Sequence, residues 1–164
     1  MAESTKSKVT IYTDGACKSN PGRGGYGAIL TFVDSKGQYH EKELTAGYEL
    51  TTNNRMELMG AIVALEALKK PSEVLLISDS KYLVDAIRNK WLDSWQAKNW
   101  RTAGKSPVKN VDLWKRLIEA MKPHEIAFEW IKGHAGHEYN ERCDELATGS
   151  CENDTLLVDE GFKN

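Results

Sequence analysis

Apolar and polar side chains alternate from Val9 to Asp14, with Val9, Ile11 and Thr13 on one side and Thr10, Tyr12 and Asp14 on the other. A period of two predicts a strand, and all of these residues except Asp14 favour one. Lys18-Ser-Asn-Pro-Gly-Arg-Gly-Gly is too rich in glycine, proline and asparagine to continue it, so Asp14 is expected at the end of the strand. Tyr26 to Val33 and Gln38 to Tyr48 predict two further strands, joined by the turn Asp34-Ser-Lys-Gly37. Short connections make the three an antiparallel meander. Met56, Met59, Ile62, Val63 and Ala67 then recur at helical spacing, and Lys69-Lys70-Pro71 closes that helix.

Glu73 to Ser78 is a short, nearly continuous apolar run, the pattern of a strand covered on both faces. Asp79-Ser80 is a helix-start signal, and Lys81 to Arg88 reads as a short helix. Trp91 to Lys109 is basic, aromatic and poorly periodic, which predicts a helical fragment and then an exposed loop. Asn110 to Met121 is an amphipathic helix, Ile126 to Ile131 a fifth strand, Gly133 to His137 a loop, and Asn140 to Gly149 a final helix. The element order predicts an α/β fold: a mixed five-stranded sheet, three antiparallel strands and then two parallel ones, with helices on both faces. One domain over residues 1–151 is expected, frayed over 1–7, followed by a flexible acidic tail over 152–164.

Composition narrows the class. A chain of 164 residues, 40% hydrophobic and 28% charged, suits one globular domain. No apolar run reaches membrane-spanning length, and MAESTKSK lacks the hydrophobic region of a signal peptide. Three cysteines at irregular spacing give neither a disulfide framework nor a zinc pattern, so a cytoplasmic protein is expected, with nothing to suggest more than a monomer. Charge is unevenly spread. Arg88 to Lys109 carries six basic side chains against Asp93, a local +5 in a chain whose total is −2, so the remainder carries −7. A global near-neutrality thus hides a basic patch suited to nucleic acid.

Four carboxylates stand where chemistry is plausible: Asp14, Glu57, Asp79 and Asp144. Singly, each has a local explanation. Asp14-Gly15 can open a turn, Glu57 can close a capping box with Asn54, Asp79 can cap a helix, and Asp144 can suit a helix start. Together these explanations weaken. If the first and fourth strands are parallel neighbours, Asp14 and Asp79 emerge side by side, and two bare carboxylates so placed repel unless a cation neutralises them. A pair of Mg²⁺ ions with oxygen ligands is a known solution in phosphoryl transfer.

Thr13-Asp-Gly, Thr51-Thr-Asn-Asn-Arg-Met-Glu-Leu58, Ser78-Asp-Ser80, Lys132-Gly-His-Ala-Gly-His137 and Asn140-Glu-Arg-Cys-Asp144 resemble, in order and spacing, bacterial type I ribonuclease H, over about Val9 to Ala147. The resemblance implies a ribonuclease H-like fold and endonucleolytic cleavage of the RNA strand of an RNA–DNA hybrid, leaving 3′-hydroxyl and 5′-phosphate ends. It implies that Asp14, Glu57, Asp79 and Asp144 bind metal, Asp14 and Asp79 bridging two Mg²⁺ with Mn²⁺ as a substitute, and that His134 transfers protons or aids product release. By the same resemblance Cys17, Asn20, Asn53 and Asn54 line the hybrid's groove, and Asn20 with Thr52 holds a DNA-strand phosphate. Asn140 joins the substrate-contacting set. Trp91 to Lys109 resembles the family's basic protrusion, with Lys98 and Arg101 as phosphate contacts and Trp91 or Trp114 against the DNA backbone. Two departures stand out: Gln96-Ala-Lys-Asn99 replaces a denser basic cluster, and Lys81 replaces a hybrid-contacting glutamine.

Three other readings compete. A zinc site of His134, His137 and Cys143 lacks a fourth ligand and a common spacing. A non-catalytic hybrid-binding module has no need of four carboxylates and a histidine. A DNA nuclease on the same sheet has no need of the Asn53-Asn54 stretch, whose short amides suit the 2′-hydroxyls of one strand.

Overall fold

The computed structural model describes residues 7–102, 104–132 and 137–162. Its elements are β1 (Ser7–Cys17), β2 (Gly22–Val33), β3 (Tyr39–Thr51), α1 (Asn53–Glu66), β4 (Ser72–Ser78), α2 (Lys81–Arg88), α3 (Trp91–Ala97), α4 (Val111–Met121), β5 (Glu125–Trp130) and α5 (Glu138–Ser150). The sheet order is β3-β2-β1-β4-β5. β1, β2 and β3 pair antiparallel, while β4 pairs parallel with both β1 and β5. The expected mixed five-stranded sheet is the one observed.

Side chains alternate across β1, and this alternation decides which helix lies on which face. Thr13 faces α1, where a Cβ at Gly60 would sit 3.6 Å from the Thr13 Cβ. Tyr12 faces the other way and stacks on Tyr139 of α5, with ring centroids 4.5 Å apart. The two long helices therefore cover opposite faces. α1 is the central one: Met56, Leu58, Ala61, Ile62 and Ala64 are all sealed from solvent, which is why its apolar positions show no single narrow stripe.

Several boundaries differ from the sequence pattern. β1 does not stop at Asp14; it runs on through Gly15, Ala16 and Cys17, which pair with Tyr26, Gly25 and Gly24. The glycine-rich stretch therefore belongs largely to β2, because small residues tolerate the close approach of α5 that a long side chain would block. β4 is buried on one face and half-buried on the other, rather than sealed on both. Among the described non-glycine residues, positive φ occurs only at Lys90, Asn99, Trp100, Lys105 and Asn110. These left-handed turns explain the lost periodicity between α2 and α4, since each one breaks the register of any repeating pattern.

The expectation of a free tail from residue 152 needs correcting. The Leu157 N–H donates to the Gly47 carbonyl at 2.8 Å, the Glu49 N–H donates to the Leu157 carbonyl at 2.9 Å, and Asp159 is buried against α1. Gly133 to Gly136, including His134, lie outside the described residues.

Candidate active site

The acid cluster is built at the point where the parallel pairing of β1 and β4 ends. Thr13 opposite Ser78 is the last pair of that ladder, so Asp14 and Asp79 are the next residue on each strand. Asp79 does not cap α2. Ser80 does, its hydroxyl accepting from the Leu83 N–H at 3.2 Å. Trp130, from β5, donates its indole N–H to the Asp79 backbone carbonyl at 3.0 Å and holds that residue in place. Sequence reasoning missed this role, because nothing local marks an aromatic residue at a strand end as an anchor.

Glu57 arrives from the other side of the strand. It is the fifth residue of α1, past the first turn, and Asn54 does not cap the helix. Thr52 is the cap, its hydroxyl accepting from the Arg55 N–H at 3.2 Å. Gly15 decides how close α1 can come: a Cβ there would lie 2.6 Å from the Glu57 nitrogen and 2.7 Å from the Met56 carbonyl carbon. Its N–H then donates to Asp14 Oδ1 at 2.9 Å and to Glu57 Oε1 at 3.1 Å, drawing two carboxylates onto one donor. The missing Cβ of Gly15 is thus a site feature that a turn reading of Asp-Gly conceals.

Asp14, Glu57 and Asp79 each offer an oxygen within 4.8 Å of the others, the one such group among the described residues. Asp144, from α5, lines the same hollow, together with Asn53, Asn54 and Lys81. Burial pushes the Asp14 carboxyl up to about 8, aided by the negative charges of Asp79 and then Asp144. Burial likewise raises Glu57, with Asp14 and Asp79 adding to the effect. Three carboxyl groups at this spacing cannot all ionise without a compensating cation. One further observation tests whether a cation fits: Glu57 Oε2 is buried and has no hydrogen-bond partner among the described residues. A bond to a cation would offset the desolvation cost of such an oxygen. An all-oxygen donor set suits a hard divalent ion such as Mg²⁺.

The remaining site residues divide into groups. Asn20 joins the rim, its Oδ1 accepting from the Asn53 N–H at 3.1 Å beside the capping Thr52. Half-buried Cys17 directs its thiol at the Ser19 carbonyl, 2.8 Å away. Lys81 Nζ lies 4.9 Å from the Trp130 ring centre. Lys98 and Arg101 are exposed, and Trp91 is 41% exposed. One expectation fails on burial. Trp114 is fully buried and donates its indole N–H to the Tyr82 hydroxyl at 3.2 Å, so it supports the core and presents no surface to a duplex. Asn140, at 4% exposure, is buried to the same degree as Asp14 and Glu57. Trp95 packs 5.6 Å from Trp114 and 6.2 Å from Trp91, so the tryptophans extend the main core rather than forming a separate one. Cys143 is buried and donates to the Tyr12 carbonyl at 3.3 Å, away from any zinc role.

Three carboxylates gathered where the β1–β4 pairing of this mixed sheet ends suit a metal-dependent hydrolase of phosphodiesters. A family profile for RNase H matches residues 6–152. The chain belongs to the ribonuclease H family, in its bacterial type I branch. It is 57% identical over 153 residues to a protein of Lachnoclostridium phytofermentans named ribonuclease H, covering 93% of this chain and 97% of that one. It is 50% identical over 159 residues to ribonuclease HI of Synechocystis, covering 97% of each. Among solved structures it is similar to LC9-RNase H1, described as a type 1 RNase H with the type 2 active-site motif. That match has a TM-score of 0.83 and 29% identity, and covers 98% of this chain and 81% of that one. Among the described residues no helix is long and apolar enough to cross a membrane.

Proposed function

We propose that the protein cleaves the RNA strand of RNA–DNA hybrids endonucleolytically, leaving 3′-hydroxyl and 5′-phosphate ends, with two Mg²⁺ ions held by Asp14, Glu57, Asp79 and Asp144. The observation that carries this reading is the convergence of three carboxylates within 4.8 Å, one of which, Glu57, keeps a buried oxygen with no partner among the described residues. When bound, the ions would lower the pKa of the attacking water and offset charge on the leaving 3′-oxygen. The protein's own contribution is positional. Gly15 aligns Asp14 and Glu57, Trp130 anchors Asp79, and the low exposure of the first two keeps competing water from their inner oxygens. His134 is assigned proton transfer, for which an imidazole has the right pKa range.

Recognition is assigned to shape. Asn53 and Asn54 stand exposed at the head of α1 beside the acids, where short amides can test for 2′-hydroxyls in the minor groove. Lys81, Lys98 and Arg101 would then take phosphates, positioning the duplex without reading sequence. The same reading has the enzyme act as a cytoplasmic monomer, with Mn²⁺ able to replace Mg²⁺. The test is a labelled RNA–DNA hybrid, duplex DNA and duplex RNA, each incubated with Mg²⁺ or with EDTA. Cleavage confined to the RNA strand of the hybrid and abolished by EDTA is expected. Binding without cleavage would make this a hybrid-binding module, and cutting of duplex DNA would make it a DNA nuclease.

A further inference from the structure

We propose that Asp159, on the segment after α5, is a positioning residue for hydrolysis: it fixes the first turn of α1 from behind, and through it Glu57, Asn53 and Asn54. The inference rests on the ribonuclease reading above for its catalytic consequence, but not for its structural one.

Arg55 is the hub. It is fully buried in the first turn of α1, yet carries a charge that must be compensated there. Its Nε donates to Asp159 Oδ2 at 2.7 Å and its Nη2 to Asp159 Oδ1 at 2.9 Å, a bidentate pair. Nη1 and Nη2 also donate to Asp112 of α4, at 2.9 and 2.7 Å. The two arms differ in kind. The Asp159 side chain is 2% exposed, whereas that of Asp112 is 44% exposed and correspondingly screened. Asp159 Oδ2 accepts a further bond at 2.7 Å from the hydroxyl of Thr51, the residue before the cap of α1. A single carboxylate therefore grips the chain on both sides of Thr52.

Helix geometry places this grip opposite the chemistry. Arg55 and Glu57 are two residues apart, about 200° around the helix, so a clamp on one sets the rotation of the other. The backbone of the strap is itself fixed. Leu157 is bonded to β3 at both its N–H and its carbonyl, and Gly161 passes so near the ion pair that a Cβ would lie 1.9 Å from Asp112 Oδ2 and 2.9 Å from Arg55 Nη2.

The test uses the full chain carrying Asp159→Ala and Asp159→Asn, with Asp159→Glu as the charge-restoring variant. Hydrogen exchange is followed in residues 52–58 and, as an internal reference, in β4, well below each variant's Tm. Faster exchange in 52–58 by roughly tenfold, with β4 unchanged, is expected for Ala and Asn, as is a fall in kcat/KM on the order of 10- to 100-fold. Hybrid affinity measured in EDTA should weaken in step, and Glu should recover part of each loss. A lowered Tm with unchanged exchange in 52–58 and unchanged kcat/KM would overturn the proposal and leave Asp159 a stabilising residue only. Should Asp159→Ala fail to fold, the nearly isosteric Asn variant decides the matter. Because exchange needs no turnover, a failure of the nuclease reading would leave this readout intact and separately interpretable.

Discussion

Replacing Asp14 by Asn should make the metal-free protein more stable while abolishing its activity, and the gain should depend on pH in a defined way. Asn keeps the size of the side chain and the oxygen that accepts from the Gly15 N–H. It removes a carboxyl that burial, then the charge of Asp79, then that of Asp144 raise from 3.8 to about 8 in the folded state. Because the folded pKa lies above the unfolded one, the native state holds the extra proton between about pH 4 and pH 8. Stability of the wild type therefore falls as pH rises through that window. At about 1.4 kcal/mol per unit, the loss by pH 7 is on the order of 4 kcal/mol from this group. Asn has no such proton to surrender. The two proteins should melt alike near pH 4, and by pH 7.5 in EDTA the variant should melt about 10 °C higher for a chain of this size. Mg²⁺ should close the gap by raising the wild type alone, since a cation that binds only the folded state stabilises it by mass action. Thermal unfolding of both proteins at pH 4.5, 6 and 7.5, with EDTA or Mg²⁺, is the assay. A difference that does not vary with pH, or a variant less stable than wild type at pH 7.5 in EDTA, would refute the account of Asp14 as a raised, cation-dependent carboxyl.

Three further outcomes are expected. Asp79→Asn should lose nearly all cleavage in saturating Mg²⁺ with an unchanged or slightly raised Tm, since Trp130 still holds its backbone carbonyl; substantial residual activity would remove Asp79 as a shared ligand. His134→Ala should lower kcat by roughly 10²- to 10⁴-fold with little change in KM, and a change confined to KM would assign His134 to binding. Neutralising the exposed Lys98, Arg101 and Lys105 together should raise KM, leave kcat near wild type, and flatten the salt dependence of hybrid binding by up to about 0.9 per lost phosphate contact, a B-DNA figure applied here to a hybrid; coincident salt slopes would make the segment structural only.

Local pattern was enough to place most elements. α2 occupies Lys81 to Arg88 as its cap signal and apolar spacing indicate, and β4 and α4 begin within a residue of their expected starts. Periods of 2 and 3.6 are written in neighbouring residues, so they survive in the chain whatever the tertiary structure does. The chemical types at the site were legible for the same reason: an acid after an apolar strand is visible without knowing its neighbours. What the chain does not display locally is which distant groups converge. The spacing of Asp14 and Glu57 depends on a Cβ that Gly15 lacks, and the anchoring of Asp79 depends on Trp130, 51 residues away. Trp91 and Trp114 look alike as aromatic residues in or beside a basic stretch, yet one is exposed and the other sealed, because α4 packs broadly on α1 whereas α3 packs mainly on α2. The segment around Asp159 looked free because it is short, polar and aperiodic. Its partner is a buried guanidinium 104 residues earlier, and only folding brings the two charges together where neither can be left unpaired.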